Sequence, residues 1–127
     1  MPDPIFLTLA EVAYLHAESL ARWGGLEGVG DPGLVDSALT SAMNSWHYGD
    51  ADLFEIAAAY AFHLAESQAF TDGNKRTGAA AALAFLAKNG LPALVDDGTI
   101  YEAMMAVAKK QMNKADLAGV LRRIANS

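Results

Sequence analysis

The chain has 127 residues, 53% of them hydrophobic, which is enough for one compact domain with a real core and too few for two typical domains. Its formal net charge of -6 offers no basic surface for nucleic acid, and the absence of cysteine excludes disulfides, thiol catalysis and cysteine-bound zinc. Residues 1–4 do not start a secretory signal, and no apolar run reaches the roughly 20 residues that span a bilayer, so we expect a cytoplasmic protein without membrane contact.

Six helices are predicted in chain order, because capping residues or Pro and Gly boundaries mark segments with helical apolar spacing. The predicted helices span residues 8–23, 32–46, 52–67, 74–89, 99–112 and 113–126. The third is apolar almost all round, which is typical of a central helix buried on several sides. Residues 91–95 are the only plausible extended segment. The sequence therefore predicts an all-α fold and a single domain over residues 1–127.

The stretch from Gln68 to Arg76 has the residue types of a phosphate-handling loop. Backbone N–H groups at a helix start bind anions, and the helix dipole adds to this attraction. Gly73 permits a turn that a Cβ would obstruct, and Asp72 can hold a hard cation such as Mg²⁺. Lys75 and Arg76 can neutralise the charge of phosphates.

An ordinary turn is the alternative for Asp72-Gly73-Asn74, because these residue types are common in turns. Lys75 and Arg76 argue against it, since two cations in the first turn of a helix oppose the dipole and call for an anionic partner. Pairing with Glu66 or Asp72 would satisfy them without any ligand.

The motif resembles that of the Fic (Fido) family, H-x-F-x-[DN]-[AG]-N-K-R in its Doc branch, the death-on-curing toxins. Every specified position matches except the first, where Gln68 replaces the family's catalytic histidine. Lys75 points to Doc, because most other Fic proteins have glycine there. The segment from Trp23 to Leu34 is similar to the family's G-G-L-x-G-x-x-D-x-G-L pattern. The resemblance covers nearly the whole chain and implies a compact Fic-type helical domain.

The resemblance also implies an activity, namely transfer of the γ-phosphoryl group of ATP, with Mg²⁺, to a threonine of elongation factor Tu. It assigns the metal to Asp72 and a positioning role, plugged into the core, to Phe70. It implies that the glycine-rich segment 24–33 packs beside the site, although a flexible connector is the default interpretation of so many glycines. The residues that would cradle the phosphates, two of them also catalytic, are Gly73, Asn74, Lys75 and Arg76. Adenylyl transfer and a noncatalytic nucleotide-binding or antitoxin-binding module are the alternatives.

Gln68 predicts an impaired enzyme, because its amide cannot serve as the general base that removes a proton from the target hydroxyl. General-base catalysis typically contributes on the order of 10²–10⁴-fold. His63, five residues earlier, faces about 140° away on a helix. His16 and His47 lie on other elements and cannot be placed near the site from sequence. Gln68 is either a natural divergence or an introduced change, and we favour the second slightly.

Regulation is expected from a separate protein. The inhibitory motif [ST]-x-x-x-E-[GN] of many Fic proteins is absent from the sequence, because Trp23 stands where Glu27-Gly28 would need a serine or threonine. The Doc resemblance implies an antitoxin, a largely disordered segment that folds as a helix in a groove of the toxin. The acceptor residue and the oligomeric state are left open.

Overall fold

The computed structural model of the chain describes residues 3–28, 30–92 and 98–125. These residues form six α-helices, and the described part of the chain contains no β-strand. The prediction of an all-α fold with about six helices is confirmed. The helices are α1 (Leu9–Trp23), α2 (Pro32–Gly49), α3 (Leu53–Ser67), α4 (Asn74–Lys88), α5 (Thr99–Ala108) and α6 (Lys114–Ala125).

The helix starts follow the capping residues closely. Thr8 and Asp52 each form a complete capping box, with Glu11 and Glu55 respectively, and so begin α1 and α3. The side chain of Asp31 accepts a hydrogen bond from the N–H of Gly33 at the start of α2. Helix α2 continues three residues past its predicted end at Trp46, and Asp50 then closes it with a left-handed backbone at φ 53°.

Helix α5 departs most from its prediction. The spacing of Thr99 and Glu102 predicts Thr99 as the cap of this helix, but Thr99 is the first helical residue, and Gly98 occupies the cap position with φ 98°. The helix ends at Ala108 rather than near Met112, because Lys110 has a left-handed backbone with φ 62° and turns the chain toward α6. The predicted extended segment falls largely on residues 93–95, which lie outside the described residues.

Helix α3 is the centre of the fold, as its apolar surface predicts. Ile56, Tyr60 and Leu64 are fully buried, and the helix contacts α2, α4, α5 and α6. The approach of α4 is especially close, because a Cβ on Gly78 would lie 2.7 Å from the carbonyl oxygen of Ala61. This tight contact fixes the end of α3 relative to the start of α4, and the Gln68–Arg76 motif connects these two points.

The described helices include none that is both long enough and apolar enough to cross a membrane.

Candidate active site

The loop between α3 and α4, residues 68–73, is held by its own side chains and will be called the motif loop. Asn74 forms a reciprocal pair with the Phe70 backbone: its Oδ1 accepts from the Phe70 N–H and its Nδ2 donates to the Phe70 carbonyl, both at 3.0 Å. Asn74 therefore uses its side chain to shape the loop. Any contribution of this residue to phosphate binding must come from its backbone N–H.

A histidine of α1 supports the same loop. The ring of Phe70, only 3% exposed, stacks on the buried ring of His16 with 3.9 Å between centroids. Nε2 of His16 lies 2.8 Å from the carbonyl oxygen of Asp72, and because a carbonyl only accepts, this nitrogen carries the proton. Sequence reasoning left His16 unplaced, since the partners lie in distant segments of the chain.

The glycine-rich segment 24–33 packs directly against the motif loop. The N–H groups of Gly30 and Asp31 donate to the Ala69 carbonyl at 2.9 and 3.2 Å, and the Thr71 N–H donates to the Gly28 carbonyl at 3.1 Å. These bonds exclude the flexible-connector interpretation for the described residues of the segment. The packing implied by the resemblance is the one observed.

Close approach explains one glycine in particular. Gly25 has φ 126°, and a Cβ there would lie 3.0 Å from the Oδ2 atom of Asp72 and 2.9 Å from the side chain of Leu20. A side chain at this position would therefore displace the Asp72 carboxylate. The glycine lets the segment run over the acidic residue.

The start of α4 is electrostatically unusual. Its cap residue Gly73 has φ 79° and supplies no side-chain hydrogen bond, and the first turn contains no acidic residue. The first helical backbone bond is that of the Thr77 N–H to the Gly73 carbonyl, so the earlier N–H groups of the turn have no acceptor within the helix. Lys75 and Arg76 add positive charge at the same end. An anion is the missing complement of this arrangement.

A cavity of about 470 Å³ opens at this helix start. It brings together six of the seven predicted site residues, and Phe70 is the one left out because it faces the core. Tyr101 of α5 and Lys110 of the α5–α6 turn enter from sequence positions that the motif could not indicate. The lining residues are Ala65, Glu66, Gln68, Thr71, Asp72, Gly73, Asn74, Lys75, Arg76, Tyr101, Ala108 and Lys110.

Arg76 is held by aromatic rings rather than by an acid. Its guanidinium carbon lies 5.3 Å from the centroid of the Trp23 ring and 5.4 Å from that of Tyr101, within cation–π range. Glu66 pairs instead with Lys110 at 2.7 Å, and within the described ranges no carboxylate pairs with Arg76. Ring contacts use none of the guanidinium N–H groups, so these remain able to bind an anion.

Asp72 fits a cation that a nucleotide brings with it. Its Oδ1 accepts from the Gly73 N–H at 2.9 Å and its Oδ2 from the Leu26 N–H at 3.3 Å, which orients the exposed carboxylate and leaves lone pairs on both oxygens. The described residues contain no cluster of three or more acidic, histidine or cysteine ligands. One carboxylate together with phosphate oxygens is a usual set of Mg²⁺ ligands, whereas a dedicated protein cage is absent from this part of the chain.

Gln68 ends α3 with a left-handed backbone, φ 50° and ψ 43°, and its side chain is exposed at the cavity. His63 cannot take its place. It is half-buried one turn earlier on α3, outside the cavity lining, and its Nε2 accepts from Lys114 Nζ at 3.2 Å. Burial, and secondarily the charge of Lys114, lower the pKa of His63.

An uncapped, cationic helix start thus opens into a polar cavity with a carboxylate at its rim, an arrangement that is suited to an anion. The chain belongs to the Fic/DOC family, whose model matches residues 6–86.

Two relatives extend the likeness beyond the motif. The chain is 32% identical over 118 residues to "Protein kinase doc" of Escherichia phage P1, covering 92% of this chain and 93% of that protein. It is 42% identical over 84 residues to "Toxin Doc" of Mycolicibacterium smegmatis, covering 65% of this chain and 64% of that protein.

Proposed function

We propose that the protein is a Doc-like toxin that transfers the γ-phosphoryl group of ATP to a hydroxyl group of another protein. The observation that carries this proposal is the start of α4, which has no side-chain cap, bears two cations and faces a 470 Å³ cavity. The name of the phage relative, "Protein kinase doc", supports the activity, and the name of the mycobacterial relative, "Toxin Doc", supports the toxin role.

The site residues divide into two tasks. The first-turn N–H groups of α4, with Lys75 and Arg76, bind the phosphates of ATP. Asp72 holds Mg²⁺, which supplies neutralisation of phosphate charge when it is bound. Because phosphoryl transfer depends mainly on positioning and charge stabilisation, these groups account for most of the catalysis that the site can provide.

In the transfer step, the acceptor hydroxyl loses its proton to a group other than Gln68, its oxygen bonds to the γ-phosphorus, the bond from that phosphorus to the β-phosphate oxygen breaks, and ADP leaves. Gln68 orients the hydroxyl, since its carbonyl oxygen accepts a hydrogen bond but does not take the proton. The chain is therefore expected to work slowly. Its left-handed backbone at Gln68 suits histidine, which is enriched in that conformation.

The Doc resemblance supports two partners. The acceptor is a threonine of elongation factor Tu, which the protein would meet in the cytoplasm. A separate antitoxin restrains the toxin, since the sequence carries no inhibitory motif of its own.

Transfer of label from γ-labelled ATP to elongation factor Tu tests the proposal, with the native chain and its Gln68→His variant compared side by side. We expect label on the factor much faster with Gln68→His. Gln68→Asn is the matched control, because asparagine also tolerates the left-handed backbone but supplies no base.

The mass of the product distinguishes the alternatives. An added AMP instead of a phosphate would establish adenylyl transfer. ATP binding without any transfer, in all three proteins, would make the chain a binding module and overturn the proposal.

A further inference from the structure

A phosphotransfer site with glutamine at its centre still needs a group that receives the proton of the acceptor hydroxyl. Among the described residues that line the cavity, two carry carboxylates, Glu66 and Asp72. The basic side chains of the lining are donors, and the Gln68 amide does not titrate near neutral pH. The proton acceptor is therefore sought between these two acids.

Asp72 is the poorer candidate for the proton acceptor. Each of its carboxylate oxygens already accepts a backbone N–H, and the close passage of Gly25 leaves little room for the side chain to move. Its position at the start of α4 is the one that the metal requires in the proposed function. A base must instead be able to approach an incoming hydroxyl.

Glu66 meets this condition. It lies in the last turn of α3, and its carboxylate has one partner among the described residues, Lys110 Nζ at 2.7 Å. The Lys110 side chain is 73% exposed, so water screens this ion pair and the carboxylate can exchange it for another donor. Residues two apart on a helix face nearly opposite sides, yet Glu66 and Gln68 line the same cavity, because α3 ends at the left-handed Gln68.

Glu66 also lines a second cavity. A second cleft of about 260 Å³ lies between α2 and α3, and Glu66 lines it together with Leu34, Ser37, Ala38, Ser41, His63 and Ser67. A polypeptide segment in this cleft would present its hydroxyl to Glu66 on the way to the nucleotide cavity. Glu66 therefore faces both the cleft that would hold the acceptor segment and the cavity that would hold the phosphates.

We propose that Glu66 is the catalytic base of this chain, in place of the absent histidine; the inference rests on the proposed function. The acceptor hydroxyl gives its proton to the Glu66 carboxylate as its oxygen bonds to the γ-phosphorus and ADP leaves. A carboxylate performs this task in other protein kinases, where an aspartate accepts the proton of the substrate hydroxyl.

A double-mutant cycle tests the proposal with γ-labelled ATP and elongation factor Tu. Glu66→Gln is introduced into this chain and into the Gln68→His variant, and initial rates are measured at saturating ATP. We expect slow transfer by this chain and a decrease on the order of 10²-fold with Glu66→Gln, because a general base contributes at least that factor. In the Gln68→His background the decrease should be at least tenfold smaller, since the histidine then takes the proton.

Glu18→Gln is the matched control, because it makes the same substitution at an exposed glutamate of α1 outside the cavity lining. We expect it to change the rate less than about threefold, as an exposed side chain away from the site contributes little. Urea unfolding of each variant verifies that it is folded.

The outcomes separate this inference from the function on which it rests. Equal losses from Glu66→Gln in both backgrounds would assign Glu66 a structural role, a loss of the same size from Glu18→Gln would make the effect nonspecific, and either result would overturn the inference. No transfer by this chain alongside transfer by Gln68→His would also overturn it and leave the kinase function standing. No transfer by either would overturn the kinase function itself.

Discussion

Replacing Gly78 by alanine should loosen the contact between α3 and α4 that frames the motif loop. The added Cβ would lie 2.7 Å from the Ala61 carbonyl oxygen, well short of the 3.4 Å at which ordinary contact begins. Met104 can move its side-chain end away, but a helix carbonyl cannot move alone, so the two helices must separate. Overpacking of this kind costs about 1–3 kcal/mol, and the backbone clash argues for the upper end. The higher helix propensity of alanine returns about 1 kcal/mol, which leaves a net loss of about 2 kcal/mol.

Urea denaturation measures this loss, and Gly119→Ala in α6 is the matched control. A Cβ at Gly119 meets nothing within 4 Å, so the same substitution should raise the free energy of unfolding by about 0.5–1 kcal/mol. The two alanine variants are thus expected to shift the unfolding midpoint in opposite directions. Shifts of the same sign, or an unchanged midpoint for Gly78→Ala, would refute the idea that backbone contact sets the spacing of the two helices.

Three other predictions concern single side chains. Trp23→Ala should weaken ATP binding about two- to fivefold, because it removes a cation–π contact that holds Arg76 at the cavity, and Trp23→Phe should weaken it less. Titration calorimetry measures the affinities, and equal values for the three proteins would contradict the prediction. Asn74→Ala removes both bonds to the Phe70 backbone and should lower the free energy of unfolding by about 1–3 kcal/mol in urea, whereas a loss below about 0.5 kcal/mol would mean that other contacts hold the loop. Burial raises the pKa of Tyr60 from its usual 10 to about 12. The neutral phenol therefore contributes its full stability below pH 10, and up to about 3 kcal/mol of the free energy of unfolding is lost as the pH rises toward 12. Tyr60→Phe should lack this loss, and parallel curves of stability against pH for the two proteins would disprove the prediction.

The helices that could be predicted accurately are those with short-range signals. Thr8 and Asp52 act through residues three positions away, so the sequence alone was sufficient to locate the starts of α1 and α3. Thr99 offered the same spacing to Glu102, but Gly98 takes the cap position because glycine adopts positive φ without strain. The end of α5 was missed for a related reason, since nothing local marks Lys110 as left-handed.

In the candidate site, too, short-range features could be predicted from the sequence and long-range contacts could not. Residues 68–76 are adjacent in sequence, so their convergence on one cavity could be expected. His16 contacts the motif loop, and Trp23 and Tyr101 contact Arg76, from other helices, so their positions depend on how those helices pack. Trp23 offered a partial signal in the sequence, because it is a large aromatic residue directly before the glycine-rich segment. In the folded chain its side chain is 60% exposed, so it has little role in the core.

The hydrogen bonds between the motif loop and the glycine-rich segment join distant parts of the sequence. The proposed nucleotide site therefore exists only in the folded chain, and ATP bound there would oppose unfolding. At a free ATP concentration of 100 times Kd, this linkage contributes about 2.7 kcal/mol. Because cellular proteases act mainly on opened chains, the lifetime of the protein in a cell should rise and fall with the supply of ATP.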